Sequence, residues 1–252
     1  EVVVPDGYVA EILYRWGDPC VAGSPAFAGD LSETSAVAEQ QSGDNHDAIN
    51  FFPFKNSDGS ERSDVGLLCI NHEYLNAEYY YDKVVSDSTV TFTFEDARKG
   101  QAAHGVSVIE VMRNSNGTWT VNRNSTFNRR IHGNTPISIQ GPAAGHTLMQ
   151  TAADPSGTVA LGTLNNCGNG KTLWGTLLTT EENWSGYFFR AAGDQNTHQP
   201  FTRRLERPPS TPRIWPVIHA ASGDSRNAAN AAMSSAEPSR GIGCRAAILC
   251  AM

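Results

Sequence analysis

The chain is predicted to be all-β, built of short antiparallel strands with one or two short helices. Three observations carry this reading. Runs rich in β-branched and aromatic residues recur at near-regular spacing, Gly, Pro and Asn turn signals separate them, and strands do not alternate with long helical periods. That pattern is the signature of a sandwich, a barrel or a propeller. With 252 residues, 39% of them hydrophobic, the chain can bury a substantial core.

Taken in order, residues 2–4 and 8–16 read as strands around a Pro5-Asp6-Gly7 turn, because Val, Ile, Tyr and Trp favour the pleated surface. Residues 21–44 are rich in Ala, Ser and Gly with weak periodicity, and read as a surface excursion with one helical turn over 34–41. Strands follow over 49–54 and 65–74, the second apolar until it turns polar at Asn71, His72 and Glu73. An apolar strand ending in His-Glu can deliver ligands to the rim of a sheet, or can simply end in solvent. An amphipathic helix is expected over 94–103, and a hairpin over 105–121, where Asn116-Gly117 is a strong turn signal. Residues 128–136 and 141–146 read as loops, and a strand-turn-strand passes through Asp154-Pro155-Ser156-Gly157 into residues 158–164. From about Arg203 the sequence becomes rich in Ala, Ser, Arg and Asn with little periodicity. Residues 203–252 therefore read as an irregular tail, either flexible or the product of a shifted reading frame in GC-rich coding sequence.

Charge and cysteine usage exclude several classes. A net charge of −7 argues against a nucleic-acid partner, which would want a basic face. No apolar run reaches the ~18 residues of a membrane span. Five cysteines at irregular spacing (Cys20, Cys69, Cys167, Cys244, Cys250) form neither a disulfide framework nor a zinc ribbon. The chain opens on Glu1 without an initiator Met or signal peptide, as expected of a processed protein or a piece of a longer one.

The chemistry is expected in residues 163–188. Asn165-Asn166-Cys167-Gly168-Asn169-Gly170 reads as a tight turn holding one thiol, a strand-like run follows over 172–180, and then come the paired carboxylates Glu181 and Glu182. Cys167 is open to four roles: redox thiol, nucleophile with His104 or His146 as base, thiolate ligand, or inert residue. A ligand role fits best with the Glu181-Glu182 pair, because carboxylates suit calcium or ferric iron and a thiolate can complete an iron site. Adjacent carboxylates repel one another and raise each other's pKa, and a bound cation removes that cost.

The run from Asn165 through Asn183 resembles the NNC…TPWGT…CEEN signature of PhoX-type alkaline phosphatases. Val4-Pro5-Asp6-Gly7-Tyr8, Arg15-Trp16-Gly17-Asp18, Phe51-Phe52-Pro53-Phe54, the segment 66–74, His104-Gly105-Val106-Ser107-Val108, Asn128-Arg129-Arg130-Ile131 and Gly141-Pro142-Ala143-Ala144-Gly145-His146 are similar to the same family, in the same order. The resemblance covers about residues 1–190 and implies an incomplete β-propeller, with residues 1–202 as its part of the fold. It further implies hydrolysis of phosphomonoesters at a cluster of ferric iron and calcium, and export by the twin-arginine route to the periplasm or exterior. In that picture Cys167 is an iron ligand and Glu182 a cluster ligand, both in the catalytic centre, with Glu181 and Glu73 as further ligands or supporting groups. Leu173 stands where the family has Pro, and Thr180 where it has Cys. Family members are far longer, so this part alone is expected to show little activity, and a non-catalytic binding or structural module is the alternative.

Overall fold

The computed structural model describes residues 2–83, 91–151 and 153–183, together with the backbone of 247–250. The main sheet is antiparallel. Strands β1 (His46–Lys55), β2 (Glu61–His72), β3 (Gly105–Arg113) and β4 (Trp119–Val121) follow one another in order, and β5 (Arg129–Ile131) pairs with the other end of β3. A two-stranded ribbon joins β6 (Pro136–Ser138) to β7 (Val159–Leu161). The third sheet is the hairpin of β8 (Asn166–Lys171) and β9 (Leu177–Glu181), with β10 (Ala247–Cys250) on the free edge of β9. The all-β expectation therefore holds, and the sheets do not close on one another, as an incomplete propeller requires.

The main sheet is apolar on both faces. Phe52, Leu67, Cys69, Val106 and Val108 point to one side, where Leu177 of the β8–β9 hairpin covers them. Ile70, Ile109 and Val111 point to the other, against Tyr14 and Cys20 of the N-terminal segment. This alternation places consecutive residues of β2 in two different cores, so a one-residue register slip would exchange them. Helix α1 (Ser35–Ala38) and helix α2 (Phe94–Ala103) pack together, and α2 begins with a capping box in which Thr93 and Asp96 satisfy each other's backbone N–H groups. Both helices lie where the sequence places them.

Four expectations need correction. Residues 2–16 form no ladder among the described residues; the turn at Gly7 is present, and a lone bridge joins Pro19 to Gln41. β propensity alone does not make a strand without an edge to pair with. Residues 128–136, read as a loop, contain β5 and the start of β6. The segment before Asp154 is a 3₁₀ turn, Thr147–Met149, not a strand. Residues 165–170, read as a turn, lie mostly on β8, and the hairpin turn sits in residues 172–175, bonded from Thr172 to Thr176 and Gly175. Apart from β10, the tail over 203–252 lies outside the described residues.

Arg130 anchors the side of the sheet away from the hairpin. Its guanidinium is buried and donates to the carbonyls of Gln41 (2.9 Å), Ala102 (2.6 Å), His104 (2.8 Å) and Val106 (3.4 Å), and to that of Ile131. A buried cation satisfied by backbone carbonyls, with no carboxylate at ion-pair distance among the described residues, ties the N-terminal segment, α2 and β5 into one unit. Gly43 lets that unit close, since a Cβ there would meet Ala103 O at 2.3 Å. Lysine cannot reproduce the fork of five donors. Arg130→Lys is expected to lower the unfolding free energy in urea by about 2–4 kcal/mol, whereas Arg62→Lys, in an exposed pair with Asp64, leaves the urea midpoint unchanged.

Burial and the nearby Arg130 charge push three imidazoles down: His72 well below its usual value, His46 below it, and His132 to about 3. A histidine whose folded pKa is depressed binds its proton better in the unfolded chain, so stability is present above the unfolded value near 6.5 and lost as pH falls below it. Urea midpoints are expected to fall from pH 7 to pH 5, and His132→Asn to flatten that slope. An unchanged slope in the variant would remove His132 from this role.

Candidate metal centre

The site forms where the ends of β1 and β2 meet the hairpin β8–β9. The β1–β2 register shifts between His46 and Ile49, so Asp47 lies in an irregular stretch, and Glu73 follows the last residue of β2. On the hairpin the β8–β9 register shifts between Asn166 and Asn169, which places Cys167 and Gly168 in a second irregularity. Such bulges re-aim side chains that a regular pleat would send elsewhere. Here they bring one carboxylate oxygen each of Asp47 and Glu73, and the Cys167 Sγ, within 4.8 Å of one another.

Asparagines hold the two halves together. Asn71, fully buried, donates through Nδ2 to the carbonyls of Cys167 (2.9 Å) and Gly168 (3.2 Å). Asn169 donates to Ala48 O (2.7 Å) and accepts from Asn50 (2.5 Å). Asn166, also fully buried, bonds Thr163 and Thr179. Thr180, which stands where the resembling signature has Cys, donates to Gly168 O at 3.2 Å and so supports the bulge itself. The other departure, Leu173, is fully exposed at the hairpin tip, where proline's restriction is not needed for contact with the core.

The structure separates the residues singled out from sequence. Cys167 and Glu73 come together, and Glu182, just past β9, lies close enough for its charge to act on both. Glu181 is engaged elsewhere: its carboxylate accepts the Leu164 N–H at 2.8 Å and lies outside the three-residue group. Asp47 was missed. The expected strand began at Ile49, and an acidic residue just outside a strand carries no signal of its own; only the bulge makes it a partner of Cys167.

The electrostatics are those of a site lacking positive charge. A hydrogen bond to Asp47, burial, and the charges of Asp47, Glu182 and Glu73 push the Cys167 thiol up from 9.0 to about 12. Partial burial, Asp47 and Glu182 push the Glu73 carboxyl up as well. One soft and several hard anionic donors fit a cation, which would reverse both shifts and hold the thiol ionised. In chelator-treated protein, Cys167 is therefore expected to stay protonated and resist alkylation by iodoacetamide well above the usual thiol range near pH 8.5. Asp47→Asn should bring the inflection of the rate–pH profile down. Peptide mapping at Cys167 reads this out, and an inflection at the ordinary value in the unmodified chain would contradict it.

Comparison with known proteins places the chain. The family model for alkaline phosphatase PhoX matches residues 1–211. No curated protein sequence matches. Among solved structures, Pseudomonas fluorescens PhoX in complex with vanadate, a transition state analogue, is similar at 43% identity with a TM-score of 0.69. The match covers 80% of this chain and 33% of that one, so the chain spans about a third of that protein's length. By collinear motifs, by the family model and by the similar structure, the chain belongs to the PhoX alkaline phosphatase family.

Proposed function

We propose that the chain carries one wall of a metal-dependent phosphomonoester hydrolase centre, with ferric iron and calcium as its metals. The observation that supports this most directly is the Asp47, Glu73 and Cys167 group, set within the stretch that matches the family. Cys167 would hold iron, while Glu182, Asp47 and Glu73 would hold calcium or share the cluster. Such cations neutralise phosphate oxygens and activate an oxygen nucleophile. This chain's own part is to present the ligands at fixed spacing. Cys167 is then a ligand and not the attacking group, which accords with a thiol that negative neighbours keep protonated in the absence of a cation.

The remaining ligands and the groups that grip phosphate would come from sequence beyond this third of the similar protein. That coverage favours a second reading, a propeller part that binds or supports without catalysing. Export by the twin-arginine route to the periplasm or exterior belongs to the proposal; among the described residues no helix is long and apolar enough to cross a membrane.

Purified chain loaded with ferric iron and calcium is expected to show the colour of an iron–thiolate bond, to lose it in Cys167→Ser, and to hydrolyse p-nitrophenyl phosphate only at background rate. Iron content and colour unchanged in Cys167→Ser would sink the ligand assignment. Robust hydrolysis would show instead that the chain holds a complete centre.

A further inference from the structure

Asn165 stands among the candidate ligands without belonging to their group. Its side chain is almost wholly buried, and its backbone is held at φ +52°, a left-handed conformation that glycine adopts most easily and asparagine better than most other residues. Two of its bonds reach the segments that carry Glu73 and Glu182. Its Nδ2 donates to the carbonyl of Glu73 at 3.1 Å, and its own carbonyl accepts the Glu182 N–H at 3.0 Å. The Glu73 carbonyl is gripped a second time by His104, whose Nδ1 donates at 2.8 Å. Cys167 lies two residues further on, in the bulge.

The bland account of Asn165 is a turn residue that tolerates a left-handed backbone. Glycine would meet that need with less strain, and a turn asparagine commonly bonds its own backbone two residues on. Here the amide instead crosses 92 positions of sequence to reach Glu73. Its Oδ1 is buried without a hydrogen-bond partner, a cost that a glycine would not carry.

We propose that Asn165 is a positioning residue for the metal centre, fixing Glu73 of the sheet and Glu182 of the hairpin at set offsets from Cys167. The proposal rests on the metal reading of Asp47, Glu73 and Cys167 and deepens it. Groups that orient ligands from behind matter to affinity because a cation selects for donors already in place.

The test is a titration of the full 252-residue chain with Co²⁺ alone, monitored by thiolate-to-cobalt charge-transfer absorption, with urea unfolding of the metal-free protein in parallel. Asn165→Gly keeps the left-handed backbone and the bond to the Glu182 N–H and removes only the amide. It is expected to bind Co²⁺ about 10–100-fold more weakly while unfolding at the same or a higher urea concentration. Co²⁺ affinity equal to that of the unmodified chain overturns the proposal. Should Asn165→Gly fail to fold, Asn165→Ser decides by the same two measurements, its hydroxyl being too short to reach Glu73; loss of fold and affinity together in both variants marks a structural residue and also overturns it. Absence of the absorption band in the unmodified chain removes the metal reading and this role with it. Equal bands in chain and variant remove only the role.

Discussion

The geometry of the site depends on the side-chain amide of Asn71. A bulge in β8 leaves the carbonyls of Cys167 and Gly168 out of the regular ladder, in a place partly closed to water, where each unpaired carbonyl would cost about 1–3 kcal/mol. Asn71 answers both from the neighbouring sheet, and its Oδ1 accepts from Thr179 at 3.2 Å. Together with Thr180, which also donates to Gly168 O, this one buried residue makes the irregularity tolerable, and it fixes the hairpin to the end of β2. Leu177, inserted among Phe52, Leu67, Cys69, Val106 and Val108, supplies the apolar burial that presses the hairpin down. The amide network then decides its register. Hydrophobic packing alone would permit sliding, while hydrogen bonds to particular carbonyls do not.

The fold treats its two concentrations of charge differently. Arg130 is a buried cation whose compensation is internal, provided by carbonyl dipoles of the N-terminal segment, α2 and the sheet. Burial, with the Arg130 charge beside it, holds the His72 imidazole well below its usual value, and the histidines of the conspicuous motifs serve hydrogen bonding: His72 bonds Ser107 at 2.7 Å and His104 holds Glu73 O. At the opposite extreme, Asp47, Glu73 and Glu182 have no basic partner among the described residues, and their cost shows as raised proton affinity on Cys167 and Glu73. A cation from outside the chain would neutralise the cluster and offset that cost.

Elements whose determinants are local were legible. The capping box at Thr93 and Asp96 marks the start of α2, and Asn116-Gly117 marks the β3–β4 turn. Elements whose determinants lie in a distant partner were not. Residues 8–16 have the composition of a strand but no ladder, and the Gly/Asn run at 165–170 has the composition of a turn but pairs as β8, because Asn71 and Asn50 support it from another sheet. For the same reason Cys167, Glu73 and Glu182 could be named from motif and chemistry, while Asp47 became visible only once two bulges had turned separate strands toward one point. Glu181 and Glu182 are indistinguishable as residue types. Their positions at the last pairing of β9 and one step beyond give one a backbone N–H to hold and leave the other beside the thiol.

Charge balance bears on how much of a centre this wall can be. With the thiol ionised, Cys167, Asp47, Glu73 and Glu182 would bring four negative charges to one rim, and a single divalent ion would leave the excess negative and hostile to a phosphate dianion. A ferric ion and a calcium ion together outweigh the four groups and leave net positive charge for the substrate, so the proposed pair of metals satisfies both the ligands and the anion they would have to attract. Holding two cations through four side chains leaves each with few protein donors, below the six to eight oxygens that calcium favours. The missing donors must come from water, substrate or further protein. Because Asp47 is exposed and the site lies at the rim of open sheets, sequence beyond this third of the similar protein would have room to supply them.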